Sequence, residues 1–216
     1  MTAKLTLVQK AILLVAAVAV FLVNGKPSEM LRDAVLTQFG KPAYEGVWIL
    51  IPHLFLYSTL TAAVAMAAWL VFSRKGWIAR PWFAGLTLKS ASAAVLVGLA
   101  LAAVSLGYIG YAMPDAMHAF RFDPWVASAN LFSNLFEEII FRGFLLAALA
   151  AVFGFWPGAI LSSVAFAAVH SQYPLDLQIL VGLGGLAWCW LVRISNSLWA
   201  PFVSHTVLDL VADPFV

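Results

Sequence analysis

Residues 126–153 read VASANLFSNLFEEIIFRGFLLAALAAVF, an apolar run with two carboxylates and a guanidinium, Glu137, Glu138 and Arg142, at its centre. A membrane-spanning helix needs about 20 largely apolar residues, and segment 126–152 supplies them. Each of the three charges would cost ~2.5–3.5 kcal/mol at the centre of a lone inserted helix. Ionisable groups at that depth face a bundle interior or a water-filled cavity, and they count as a functional site by default. The stretch FEEIIFRGF, 136–144, therefore decides the fold. It predicts a helix packed among other membrane helices around a polar site.

The rest of the chain agrees. Of 216 residues, 63% are hydrophobic and 10% charged, against about 45–50% and about 25% in a soluble domain. Mean hydropathy is +0.95. Nine Trp and sixteen Phe suit lipid-facing and interfacial positions. The formal net charge of +2 says little about partners here, because the placement of charge outweighs its sum. Cys189 stands alone, which excludes an intrachain disulfide, and there is no CxxC pattern. Nothing in the chain resembles a nucleic-acid-binding signature. The N-terminus places basic residues before a 13-residue apolar run, 11–23. No small-residue cleavage site follows that run, so it reads as an uncleaved first span rather than a signal peptide.

Seven spans are predicted, near 5–24, 47–73, 89–113, 126–152, 158–170, 177–193 and 197–212, within a range of six to eight. The fold class is all-α, a polytopic transmembrane helix bundle forming a single domain, 1–216, with no internal repeat. The last three segments are joined by short links, at Trp156-Pro157-Gly158, Tyr173-Pro174 and Ser195-Asn196, which makes them antiparallel neighbours. Basic residues in short loops set orientation. Arg74, Lys75, Arg80 and Lys89 place segment 74–89 in the cytoplasm, and Lys4 and Lys10 put the N-terminus there too. Arg193 falls on the same side.

Charge is distributed unevenly along the chain. Residues 126–212 contain no Lys, yet Glu137, Glu138, Arg142, His170, His205 and Asp209 lie in or at the ends of hydrophobic segments. At 100° per residue, Asn130, Asn134, Glu137 and Phe141 share one stripe of the helix. Glu138 and Arg142, at i and i+4, can pair along its surface, although a buried pair need not be net stabilising. Glu137 points about 100° away and is left freer, as a general base in a wet cavity must be. The plainer reading is a helix-packing salt bridge. His170 ends its segment, where a histidine can simply reach the interface. His205 and Asp209, at i and i+4, can satisfy each other locally. His53 and His118 have no partner at helical spacing and read as structural.

Taken together, Glu-Glu-x-x-x-Arg (137–142), Phe-x-x-x-His (166–170) and His-x-x-x-Asp (205–209) form an ordered set on three hydrophobic segments. The set resembles the CAAX-type prenyl protease and bacteriocin-processing family, glutamic-type intramembrane proteases also labelled abortive-infection proteins. The run SNSLWAPFVSH, 195–205, looks like the family's approach to its last histidine. The resemblance covers about 125–212, the motif-bearing core. It implies peptide-bond hydrolysis inside the membrane without a cofactor or metal. Glu137 would activate a water, His170 would help hold it, and His205 would donate to the oxyanion, a contact worth ~2.7–4 kcal/mol per donor. Glu138 and Arg142 would support them, with Asn134 and Phe166 alongside. The family often has Asn at the last position. Asp209 would then donate only if protonated, or would orient His205.

The implied partners are the lipid bilayer and a membrane-anchored protein or peptide, prenylated or not. The location implied is a prokaryotic inner membrane. Other readings are a zinc site built on His170, His205 and a glutamate, for which no HExxH is present, a non-catalytic scaffold or immunity-type protein, and a proton-relaying transporter.

Overall fold

A computed structural model of the chain describes residues 5–23, 30, 34, 37, 59–79 and 85–216. Among them every regular element is helical. The helices are α1 (Leu7–Val23), α2 (Thr59–Arg74), α3 (Leu88–Ala112), α4 (Pro124–Glu137), α5 (Leu146–Phe153), α6 (Phe155–Val169), α7 (Leu175–Ser195) and α8 (Trp199–Ala212). A π-helical stretch, Glu138–Leu145, joins α4 to α5 without a break. Where their ends are described, the predicted segments fall on these elements with ends shifted by at most three residues. The first part of the second segment, 47–58, and His53 lie outside the described residues.

Helix ends follow local chemistry. Thr87 caps α3 reciprocally with Ser90, each hydroxyl accepting from the other's backbone N–H. Asp123 caps α4 by accepting from the N–H groups of Trp125 and Val126, with Pro124 at the first helical position. Between α5 and α6 the chain turns at Gly154, whose φ of 91° lies where a side chain would be strained. Among the described residues two helices, α3 and α7, are long and apolar enough to cross a membrane, with mean hydropathy of 2.1 and 1.7 over their best windows. Leu88, Leu96 and Val104 on α3 and Ile179, Leu183 and Ile194 on α7 are exposed. A bilayer accepts such faces where water does not.

Close packing rests on small residues, as expected where helices meet without a solvent-driven hydrophobic effect. A Cβ on Gly98 of α3 would stand 2.5 Å from the Ser204 carbonyl oxygen and 2.8 Å from Val207 Cβ on α8. That glycine lets α3 lie directly on α8. Gly143 makes room in the same way for the Trp69 ring of α2, and Trp69 Nε1 donates to the Ala79 carbonyl at 2.7 Å. The bundle has two distinct ends. At one end, Ile78, Ala79, Phe155, Arg193 and Ser197 share a cavity. At the other, a cavity gathers Met113, Tyr173, Pro174, Ala212 and Asp213, and the polar motifs open towards this second end.

Candidate active site

The site begins where α4 gives way to the π-helical stretch. A π-helix takes in an extra residue per turn and is frequent at functional sites. Here it carries Glu138 and Arg142, and the Ser162 hydroxyl of α6 donates to the Phe141 carbonyl at 2.6 Å. Arg142 Nη1 lies 3.4 Å from Glu138 Oε1, with both side chains at most 1% exposed. Neither Nη atom of Arg142 has a hydrogen-bond partner. Its guanidinium instead sits 4.0 Å from the Phe166 ring centroid and 4.7 Å from that of Trp188. Such contacts reach about 2 kcal/mol when desolvated, so aromatic faces and one carboxylate hold this cation.

Glu138 has a second partner from the far end of the sequence. His205 Nδ1 lies 3.0 Å from Glu138 Oε1, and His205 Nε2 lies 3.9 Å from Glu137 Oε2. His205 thus bridges the two adjacent glutamates, with its ring stacked on Trp188 at 3.9 Å. Glu137 keeps a 21% exposed side chain and accepts a long 3.4 Å bond from the Ser133 hydroxyl. The two carboxylates therefore differ as their helical geometry predicts: one is buried and paired, the other is freer.

The local His205–Asp209 pairing open to a single helix is not the bond each makes. Asp209 accepts from Asn134 Nδ2 of α4 at 2.6 Å, and Asp213 accepts from Asn130 Nδ2 one turn further along. The stripe Asn130, Asn134, Glu137 therefore faces Asp213, Asp209, His205 rung by rung across the α4–α8 seam. Phe141 leaves that stripe within the π-helical stretch and packs edge-on against Phe166 at 5.1 Å. Asp213 lies just beyond α8, exposed as a residue. Desolvation of its carboxyl, and then the nearby Asp209 carboxylate, push its pKa up to about 7.

His170 caps the C-terminus of α6. Its Nδ1 is 2.8 Å from the Phe166 carbonyl. A carbonyl only accepts, so Nδ1 carries the hydrogen and Nε2 is left to face outward. Phe166 stands between the two histidines, edge-on to His170 at 4.6 Å and to His205 at 6.0 Å. His170, His205 and Asp209 line one cavity of about 390 Å³ with apolar walls from Leu101 and Ile109 of α3 and Leu177 and Val181 of α7. Tyr173 also lines it. Desolvation, reinforced by the carboxylates of Asp213, Asp209 and Glu137, raises the pKa of its hydroxyl and keeps it protonated.

The structure thus gathers all of the candidate residues, Glu137, Glu138, Arg142, Asn134, Phe166, His170, His205 and Asp209, around one seam and one cavity. Sequence reasoning missed Trp188, Tyr173 and Asp213. Two are aromatics among many, and Asp213 lies past the last motif, though it continues the four-residue spacing from His205 through Asp209. No group of three or more His, Cys, Asp or Glu side chains among the described residues is placed to hold a metal ion.

Residues 122–211 match the family model described as Rce1-like, type II CAAX prenyl endopeptidase Rce1-like. This segment is similar to that family. The match spans all three motifs and starts just before the Asp123 cap of α4. It supports a membrane endopeptidase, a hydrolase of peptide bonds. No curated protein and no solved structure gives a match.

Proposed function

We propose that the chain is a glutamic-type intramembrane endopeptidase that hydrolyses a peptide bond in a membrane-associated substrate with a water activated by Glu137. The observation that carries this reading is the difference in burial and partners between two neighbouring carboxylates. Glu138 is buried against Arg142 and His205, whereas Glu137 is only partly covered and within 3.9 Å of His205 Nε2. A base must be able to reach water and to gain and lose a proton, and the greater exposure of Glu137 supports giving it that role.

In the proposed reaction a water held between Glu137 and His170 Nε2 gives its proton to Glu137 and attacks the scissile carbonyl. The carbonyl oxygen becomes an oxyanion, stabilised by donation from His205. Donation from Nε2 requires the imidazolium, since Nδ1–H is already directed at Glu138, and the two glutamates supply its counter-charge. Glu137 then returns the proton to the leaving amine, so protons balance over the cycle. Asp209 is held by Asn134 and sets the charge beside His205.

The CAAX endopeptidase family acts on membrane-anchored, prenylated proteins. An apolar cavity of about 390 Å³ between α3, α7 and α8 fits a substrate that arrives from the lipid, prenylated or simply hydrophobic. A multi-pass protein of a prokaryotic inner membrane, N-terminus in the cytoplasm, is the setting that composition and loop charge support.

The test is cleavage of a membrane-tethered peptide by the purified protein. Wild type is expected to cleave, to continue after exhaustive chelation, and to lose activity in Glu137→Gln and His170→Ala. Cleavage by both variants at the wild-type rate would overturn the proposal.

A further inference from the structure

Each of the two histidines in the cavity lies face-on to an aromatic ring. His205 stacks on Trp188, which is 2% exposed and donates through Nε1 to the Ser204 hydroxyl at 3.1 Å. His170 stacks on Tyr173, with ring centroids 5.9 Å apart and planes 14° from parallel. The two stacks differ in what surrounds them. Trp188 is part of the core, whereas Tyr173 is 42% exposed in the short link between α6 and α7.

That link is nonetheless fixed relative to His170. The Tyr173 N–H donates to the His170 carbonyl at 3.0 Å. The Tyr173 carbonyl accepts from Gln178 Nε2 at 2.8 Å, tying the turn to the first turn of α7. Pro174, which follows, fixes its own φ and disfavours a helical conformation at Tyr173. His170 is thus held by its own Nδ1 bond to Phe166, by the edge of the Phe166 ring on one side and by the Tyr173 face on another. The Nδ1 bond defines one direction of the imidazole but leaves rotation about that axis, and a parallel ring is what removes it.

We infer that Tyr173 is a positioning residue, whose ring locks the plane of His170 so that Nε2 points at the water site. This rests on the proposed role of His170. It assigns the task to the aromatic ring and not to the phenol oxygen, because it is the ring that lies stacked parallel to the imidazole. The charged groups around the pair are Glu137 on α4, His205 and Asp209 on α8, and Asp213 beyond it. None replaces the stack, since each meets the pair from another element.

Two readouts on the full-length protein test this. The first is peptide cleavage by wild type, Glu137→Gln, Tyr173→Ala and Tyr173→Phe. Misplacing a catalytic group by about 1 Å can cost roughly 100-fold. Tyr173→Ala is expected to lose ~10- to 100-fold in kcat with KM within about twofold, and Tyr173→Phe to recover kcat to within about threefold. A Tyr173→Ala variant with wild-type kcat, or one changed only in KM, overturns the inference while Glu137→Gln reports separately on the glutamate mechanism.

The second readout needs no activity. With histidine-labelled protein, and His170→Ala to assign the ring, the His170 resonances should shift in Tyr173→Ala and return in Tyr173→Phe. Unmoved His170 signals in Tyr173→Ala overturn the inference whatever the cleavage results. Failure of Tyr173→Phe to restore either signal assigns the role to the hydroxyl, which also overturns it.

Discussion

Around Glu138 the protein is dry. Arg142, Phe141, Phe166 and Trp188 are each at most 2% exposed, and the ion pair is enclosed by rings. Around Glu137, one residue earlier, lie Ser133, the outer edge of His205, and the Asn134–Asp209 pair next to a cavity that contains His170. The same kind of side chain thus meets two environments because adjacent helical residues point about 100° apart. On the proposed reading the buried pair holds the bundle, and the partly exposed carboxylate is left for chemistry. The dry half should then cost stability if broken, and the other half activity.

The largest effect should come from the dry half. Removing one partner of a buried ion pair leaves an uncompensated charge, a loss of about 3–5 kcal/mol. Arg142→Leu should therefore lower the unfolding midpoint sharply in detergent, or prevent accumulation of folded protein, as read by thermal denaturation. Arg142→Lys should only partly recover it, because a compact ammonium cannot spread over Phe166 and Trp188 as the planar guanidinium does. If Arg142→Leu unfolds like wild type, the dry half is not structural and the comparison fails.

A smaller effect is expected at the seam. Asn134→Ala leaves Asp209 without its donor, a loss of ~1–3 kcal/mol. It should lower both the midpoint and the cleavage rate, since Asp209 lies beside His205. Unchanged values of both would show that the Asn–Asp rungs are incidental.

The smallest effect is a pH dependence. Asp213 binds its proton with a pKa of about 7 in the fold against an ordinary 3.8, so between those values the folded state holds the proton and the unfolded state does not. Stability from this group is complete below the lower value, declines as pH rises, and is lost above the upper one. Asp213→Asn should flatten the midpoint between about pH 4 and pH 7. A slope identical to wild type would remove Asp213 from the seam's electrostatics.

Much of this was legible from spacing. The Glu138–Arg142 contact follows from i,i+4 geometry, and Asn130, Asn134 and Glu137 fall on one face in any helix. What spacing could not show is which helix that face meets. His205 and Asp209 are four apart and could satisfy each other, yet they bond Glu138 and Asn134, 67 and 75 residues away. The cross-helix partners come from α4 and the π-helical stretch, which pack against α8 on a side that no spacing within α8 announces. Trp188 and Tyr173 left no signal, because a stack on a histidine 17 residues later or three residues earlier has no sequence period. Nor does composition mark a π-helical stretch.

The central claim is that neighbouring glutamates do different work, and it is tested most directly by measuring kcat and unfolding midpoint on the same preparations of Glu137→Gln and Glu138→Gln. General-base removal costs ~10²- to 10⁴-fold. The account predicts that Glu137→Gln keeps the wild-type midpoint and loses at least about 100-fold in kcat, while Glu138→Gln loses midpoint. The reverse pattern, an active Glu137→Gln beside a stably folded, inactive Glu138→Gln, would contradict it.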